Sequence, residues 1–410
     1  MAKLNETPGG DRLHIGIFGK TNSGKSTLLN VFTGQAVSIV SEQAGTTTDP
    51  VYKSMEIAPL GPCVWMDTAG FGDATALGAK RMEKTRQAAE KADIALIMLP
   101  SESICGGDLK GCFPEELEWA AFFQKRNTPV LLILGKADLI PDAERIADRI
   151  GSETGCPCLP FSACAAATGV SCMKEMLLRL MPEGFGERTI LADHAQKGDL
   201  VLLVMPQDIQ APKGRLILPQ VQTLRELLDR KCMVVSCTTD KLEETLGTLK
   251  KAPDLIITDS QAFGEVYALK PKESRLTSFS VLFAAYKGDI DYYVKGAETI
   301  AELTEHSKVL IAECCTHAPL TEDIGRVKIP RMLRQRYGAG MQIDLVSGTD
   351  FPEKAEELSQ YDLIIQCGAC MFHRKYVMAR IQKAKDAGVP MCNYGVTIAY
   401  LKGILDKVEL

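Results

Sequence analysis

Two groups of residues in this 410-residue chain have the types and spacing to do chemistry. The first is Gly19-Lys20-Thr21-Asn22-Ser23-Gly24-Lys25-Ser26, which follows an apolar run at 14–18 and leads into Thr27-Leu28-Leu29-Asn30, residues able to continue as a helix. A GxxxxGKS segment between a strand and a helix cradles phosphate. Gly19 and Gly24 let successive N–H groups, those of Ser23 and Thr27 among them, turn inward around phosphate oxygens, and Lys25 can reach the β- and γ-phosphates. The Ser26 hydroxyl can ligate Mg²⁺. Asp67-Thr68-Ala69-Gly70 follows the next strong apolar run. There Asp67 would hold Mg²⁺ through water and the Gly70 N–H would contact the γ-phosphate, so Lys25, Asp67 and Gly70 are the expected catalytic groups. Between the two motifs, Gly45-Thr46-Thr47-Thr48-Asp49 offers Thr46, Thr47 or Thr48 to the metal and the γ-phosphate, and sequence does not separate the three.

The second group is sulfur. An apolar run at 309–312 leads through Glu313 into Cys314-Cys315-Thr316-His317, and a run at 363–366 leads into Cys367-Gly368-Ala369-Cys370. If both runs are parallel strands of one sheet, their carboxyl ends share the edge where open α/β sheets bind ligands. Cys367 and Cys370 then present two thiolates on one turn and Cys315 a third, a soft donor set suited to an iron–sulfur cluster or to zinc. Cys314 is expected to point away from Cys315, and Cys392 is an outside candidate. A dithiol redox pair would leave Cys315 and His317 idle, and structural zinc would close with four protein ligands. Cys156, Cys158, Cys164 and Cys172 form a second cysteine-rich stretch, but Cys164 is needed elsewhere.

Elements that position these residues follow from the alternation of apolar runs of strand length with amphipathic segments of helix length, the pattern of α/β domains with mainly parallel sheets. Runs at 14–18, 63–66, 94–99, 130–134 and 158–161 form a first block that ends in a Pro/Gly cluster at 181–186. Runs at 200–205, 232–236 and 255–258 form a second block without catalytic signature; runs at 309–312, 343–346, 363–366 and 389–391 form a third. The expected domains are residues 1–185, 186–268 and 269–410, the middle one supplying a homodimer interface. With 47 Lys+Arg against 52 Asp+Glu and no long basic run, nucleic acid is not the expected partner. No apolar stretch reaches the roughly 18 residues of a membrane span. No apolar segment near residue 1 resembles a signal peptide, and the expected location is cytoplasmic, where thiols stay reduced.

Gly135-Lys136-Ala137-Asp138 and Ser162-Ala163-Cys164 resemble the guanine-reading pair of GTPases, NKxD and SAx. The resemblance implies that Asp138 accepts the N1–H and exocyclic amine of guanine, that Lys136 stacks on the base, and that Ser162 and Ala163 complete the loop. Gly135 departs from the usual Asn, which weakens the tie to the phosphate loop. Phe71 stands where Ras-like proteins place a water-orienting Gln, so intrinsic turnover should be slow. Asn22 with Gly45-Thr46-Thr47 is similar to the Era/TrmE branch, some members of which bind K⁺ beside the phosphates.

Taken together, the phosphate loop, Cys315-Thr316-His317 and Cys367-Gly368-Ala369-Cys370 resemble the HydF family of GTPase maturation factors for FeFe-hydrogenases, over essentially the whole chain. That resemblance implies an Era/TrmE-like N-terminal GTPase domain, a middle α/β dimerisation domain, and a C-terminal α/β domain carrying a 4Fe-4S cluster on Cys315, Cys367 and Cys370. It also implies a scaffold that accepts a di-iron precursor from radical-SAM maturases and delivers it to apo FeFe-hydrogenase. His317 would be a weak fourth ligand or a residue that shapes the pocket, and Ala369 replaces the commoner glycine of CGGC. The rival expectation is an RNA- or ribosome-associated GTPase of the Era/TrmE type with a structural metal site.

Overall fold

The computed structural model describes residues 9–33, 50–68, 70–71, 76–104, 109–182, 184–186, 188–206, 216–314, 323–348, 350–370 and 372–410. They fall into two compact units, Met1–Gly186 and Glu187–Leu410.

The first unit runs β1 (Leu13–Phe18), α1 (Lys25–Thr33), β2 (Val51–Ile57), β3 (Gly61–Asp67), α2 (Ala76–Ala89), β4 (Ile94–Leu99), α3 (Pro114–Gln124), β5 (Val130–Leu134), α4 (Ala143–Thr154), β6 (Cys158–Pro160) and α5 (Ala166–Arg179). Its six-stranded sheet has the order β2-β3-β1-β4-β5-β6. β1, β4 and β5 are buried at every residue, as strands covered by helices on both faces must be, and this explains their unbroken apolar sequences. β2 pairs antiparallel with β3 at the sheet edge, and its exposure alternates along the strand, so it carries no apolar run for sequence reading to find. One face of the sheet packs Leu13, Ile15 and Ile17 against Leu28, Phe32 and Trp65; the other packs Phe18 against Trp119 and Phe123.

The second unit contains two four-stranded parallel sheets. The first comprises β7 (Leu200–Val204), α6 (Leu218–Asp229), β8 (Met233–Cys237), α7 (Leu242–Thr248), β9 (Leu255–Thr258), α8 (Phe263–Leu269), β10 (Arg275–Ser278) and α9 (Phe279–Lys287). β10 pairs with β9, so this sheet extends past residue 268, where the sequence analysis placed its end. After α10 (Ile290–Glu298) come β11 (Lys308–Ala312), α11 (Ile329–Tyr337), β12 (Gln342–Val346), α12 (Ala355–Leu358), β13 (Leu363–Gln366), α13 (Arg374–Asp386), β14 (Met391–Asn393) and α14 (Tyr394–Leu401). The orders are β10-β9-β7-β8 and β12-β11-β13-β14. In the C-terminal sheet, numbered from its own first strand, the order reads 2-1-3-4, the doubly wound pattern whose ligand crevice lies between the ends of the first and third strands. The middle sheet reads 4-3-1-2, the same first and third strands adjacent at its centre. Register aligns the strand ends of the two: Val204 pairs with Cys237 and Thr258, and Thr258 with Ser278, as Ala312 pairs with Val346 and Gln366, and Gln366 with Asn393. Ser278 and Asn393 each cap the helix that follows, accepting from Val281 N and Gly395 N. Among the described residues no helix is long and apolar enough to cross a membrane.

α10 lies close enough on β14 that a Cβ at Gly296 would stand 2.1 Å from the Met391 carbonyl oxygen and 2.6 Å from its carbon, backbone atoms that cannot rotate aside. At Gly247 in α7 nothing lies within 4 Å. Gly296→Ala should therefore lower the melting temperature clearly, whereas Gly247→Ala should raise stability by about 0.5–1 kcal/mol. Thermal unfolding followed by circular dichroism checks the pair; equal responses would contradict the close approach.

Candidate functional site

Gly19 is the first residue past β1, at φ 149°, and a side chain there would stand 2.8 Å from Ser23 Oγ and 2.9 Å from Met98 Cβ. The chain then turns through Asn22, at φ 63°, and enters α1 at Lys25. Lys25 is buried, and its Nζ donates to the carbonyls of Gly19 at 2.9 Å and Lys20 at 2.7 Å, which folds the ammonium back under the loop. Burial lowers its pKa to about 8, with the nearby Asp67 carboxylate opposing the shift. Ser23 Oγ is buried in the same loop without a hydrogen-bond partner. Ser26 and Thr27 lie in the first turn of α1.

Asp67 is the last residue of β3, next to β1, and accepts a hydrogen bond from Ser26 Oγ at 3.0 Å. Burial raises its pKa, opposed by the Ser26 hydroxyl and the Lys25 charge. The two motifs are laced together: Thr68 Oγ1 donates to the Ile17 carbonyl at 2.7 Å and Phe71 N to the Gly19 carbonyl at 3.3 Å. A Cβ on Gly70 would stand 2.5 Å from Thr21 N, so only glycine fits there. Phe71 is buried and stacks on Trp119 with ring centroids 5.8 Å apart, so this side chain belongs to the core and has no polar atom to orient a water. Thr46 and Thr47 lie outside the described residues.

The base-reading segments also converge. Ala137 N donates to the Phe161 carbonyl at 3.0 Å, which joins the residues past β5 to those past β6. Asp138 is exposed, and its Oδ1 accepts from Ser162 Oγ at 2.5 Å; Ser162 Oγ in turn accepts from Cys164 N at 3.1 Å. Ala163 is exposed beside them. Lys136, in the left-handed region at φ 52°, pairs with Glu102, a partner that sequence reading missed because it comes from the segment after β4. Gly135 has only the width of a methyl group between it and the phosphate loop: a Cβ would touch the Ser23 carbonyl at 3.4 Å.

In the second unit, Cys367 follows β13 directly. Its N–H donates to the Ala312 carbonyl at 3.0 Å, and its Sγ accepts from Cys314 N at 3.1 Å, so the ends of β11 and β13 meet at sulfur. Cys370 is three residues on, and its carbonyl accepts from Lys287 Nζ at 3.1 Å. Ala369 between them holds φ 50°, a conformation that costs a non-glycine residue about 1–2 kcal/mol. Cys315 and His317 lie outside the described residues. Cys314 Sγ accepts from Arg380 Nη1 at 3.3 Å, and its orientation relative to Cys315 falls outside the described residues. The Cys367 contact and burial hold its pKa well above the usual thiol value. Cys392, fully buried in the middle of β14 with a pKa raised to about 12 by burial, packs in the core. Burial likewise raises Cys158 to about 12, and Cys164 and Cys172 are exposed, so the cysteines of the first unit gather no donor set among the described residues.

Residues 190–288 match the hydrogen maturase F dimerization domain and residues 291–409 the hydrogen maturase F tetramerization domain, while residues 14–136 match the 50S ribosome-binding GTPase domain. The chain belongs to the HydF family. The chain is similar to GTPase Der of Wolinella succinogenes, 43% identical over 102 residues, 24% of this chain and 21% of that protein. It is also similar to the tRNA modification GTPase MnmE of Ehrlichia chaffeensis, 34% identical over 148 residues, 35% of this chain and 31% of that one. GTPase Era of Aquifex aeolicus is 31% identical over 180 residues, 42% and 57% of the two chains. The chain thus spans from about a fifth to under three fifths of the length of these relatives. Among solved structures, a point variant of Aquifex aeolicus Era bound to GDP.AlF4- is 22% identical, with 58% of this chain and 98% of that chain covered at a TM-score of 0.35. The two hydrogen maturase F domains fall in the second unit, where none of the expected nucleotide residues lies.

The Lys25 shift generates a test. At pH 7 an ammonium with pKa about 8 is mostly charged, and at pH 9 mostly neutral. Bound phosphates favour the charged form, so nucleotide binding at pH 9 should take up close to one proton and weaken as pH rises, whereas binding at pH 7 should take up almost none. Titration calorimetry in buffers of different ionisation heat measures the uptake, and its absence at pH 9 would contradict a lowered Lys25 pKa whose charge the phosphates restore.

Proposed function

We propose that this chain is a GTP-hydrolysing scaffold of hydrogenase maturation. In this reading residues 1–185 bind and slowly hydrolyse GTP, the middle domain mediates association of copies, and the C-terminal domain holds a 4Fe-4S cluster on Cys315, Cys367 and Cys370. The cargo is a di-iron precursor received from radical-SAM maturases and passed to apo FeFe-hydrogenase. The reading rests on one observation: a chain of the HydF family carries both a phosphate loop with Ser26 in contact with Asp67 and, in its second unit, cysteines at the meeting ends of β11 and β13.

Each group has a task. Loop N–H groups from Gly19 to Thr27 and the Lys25 ammonium bind the phosphate oxygens, and Gly70 N–H meets the γ-phosphate. Ser26 and Asp67, already in contact, would hold Mg²⁺, which neutralises charge developing on the phosphoryl group. Thr46 and Thr47 belong to the same reading. Asp138, oriented by Ser162, accepts from guanine; Lys136 covers the base once released from Glu102. With Phe71 locked in the core, nothing at that position aligns the attacking water, which makes turnover slow and leaves room for K⁺ held near Asn22 to assist. Soft sulfur donors three residues apart, near a buried guanidinium that no carboxylate pairs with among the described residues, are chemically suited to an anionic iron–sulfur group. Such a group supplies a site at which a further metal unit attaches, and His317 is the weak ligand or pocket residue that leaves that site exchangeable.

Anaerobic purification with iron and sulfide analysis tests the reading. Wild type should hold about four irons per chain and hydrolyse GTP but not ATP; Lys25→Ala should lose turnover and keep its iron, while Cys367→Ala and Cys370→Ala should keep turnover and lose the cluster. Replacing K⁺ with Na⁺ should slow hydrolysis. Equal turnover of GTP and ATP would remove Asp138 from its role, and a colourless wild type would remove the cluster.

A further inference from the structure

Arg380 lies on α13 with an exposure of 1%, and among the described residues no carboxylate pairs with it. Its Nη1 donates to the Glu313 carbonyl at 3.4 Å and to Cys314 Sγ at 3.3 Å; its Nη2 reaches the Gly348 carbonyl and, at 3.5 Å, the Tyr376 hydroxyl. Its guanidinium carbon lies 4.9 Å from the ring centroid of Phe351 and 5.0 Å from that of Tyr376, and Nε is buried without a hydrogen-bond partner. The acidic side chain beside Cys314 in sequence, Glu313, is turned to Arg326, which donates to it from Nη2 at 2.9 Å and Nε at 3.2 Å.

Taking a lone charge out of water costs several kcal/mol, and carbonyl dipoles and ring faces offset only part of that. Among the described residues, the groups beside Arg380 that can carry negative charge are, apart from the Tyr376 phenol, thiols: Cys314 in direct contact, and Cys367 bonded to the Cys314 backbone. On another side of the Cys367–Cys370 turn a second cation, Lys287, is 2% exposed and donates to the carbonyls of Cys370 and Phe372 at 3.1 and 2.8 Å. The cysteine turn is thus set among buried positive charge.

We propose that Arg380 is the built-in counter-charge of the anionic cluster held by the neighbouring cysteines, positioned through Cys314 and not itself a ligand. The inference rests on the cluster reading above. A positive charge held close to a cluster favours the form with one more electron, so it raises the midpoint potential; it also favours bound thiolates over free thiols, so it slows loss of iron.

Full-length wild type, Arg380→Lys and Arg380→Gln, each loaded anaerobically with iron and sulfide, separate the possibilities. Expected are equal initial iron content in all three, a midpoint potential shifted negative in Arg380→Gln and faster loss of its iron to a chelator, with both properties largely restored in Arg380→Lys. Circular dichroism and melting of the metal-free proteins report the fold independently. Folded Arg380→Gln with unchanged potential and unchanged iron loss would overturn the proposal while leaving the cluster reading intact. Failure of both variants to fold would make Arg380 a structural strut and overturn it as well. A wild type that takes up no iron would instead sink the cluster reading, and this proposal with it.

Discussion

A parallel strand covered on both faces has side chains for packing only, so the first polar group that the chain can offer is the residue at or just past the strand's end. Backbone N–H and C=O groups are committed to the ladder and the faces to the core, which leaves the carboxyl edge as the place for chemistry. Gly19 after β1, Asp67 at the end of β3, Gly135 after β5, Ser162 beyond β6, and Cys367 after β13 all obey this constraint. It explains why residues as distant as Ile17 and Thr68, or Cys314 and Cys367, meet at hydrogen-bond distance without any local loop designed to join them. The register of the ladder does the joining.

The same constraint decides what could be read from sequence. The phosphate loop is legible because its requirements are local: glycines where a Cβ would collide and a helix starting at Lys25. The strands β1, β4 and β5 are legible because full burial erases alternation. β2 was missed since it lies at an edge, antiparallel and half exposed, and the pairing of β10 with β9 was missed since nothing within Arg275–Ser278 says which sheet it joins. Arg380 was the least legible of all. On a helix containing Arg374, Lys375, Lys383 and Lys385 one more arginine reads as solvated surface, and only the packing of Phe351, Tyr376 and Cys314 around it makes it a core residue.

Strain and burial are unevenly spread across these edges. Asn22, Lys136 and Ala369 occupy left-handed backbone conformations just past strand ends, as Asn127, Asp142, Ala192 and Lys231 do elsewhere. Ala369 is the most telling, because a glycine would relieve the backbone there and the chain keeps a methyl group that is almost fully buried. Lys25 shows the electrostatic counterpart: an ammonium whose pKa burial brings down to about 8 is held under the phosphate loop by carbonyls, where added phosphate charge gains more from it than from a lysine already solvated.

Comparison of the two sheets of the second unit shows how differently closely related sheets can end. Register places Asp259 in the middle sheet where Cys367 stands in the other, and Ser278 where Asn393 stands. In the middle sheet these end groups satisfy one another: Gln220 Nε2 donates to Asp259 Oδ2 at 3.1 Å, and the Ser260 and Ser278 hydroxyls are 2.9 Å apart. Hydrogen bonds of that kind stabilise by about 0.5–1.5 kcal/mol each, so a ligand would have to break them before making its own. Thiols hydrogen-bond weakly, and Cys314, whose N–H donates to Cys367 Sγ past the end of β13, accepts from a guanidinium that no carboxylate neutralises among the described residues. The strand ends of the middle sheet are thus tied by neutral side-chain hydrogen bonds, whereas the equivalent ends in the C-terminal sheet carry thiols beside a buried guanidinium.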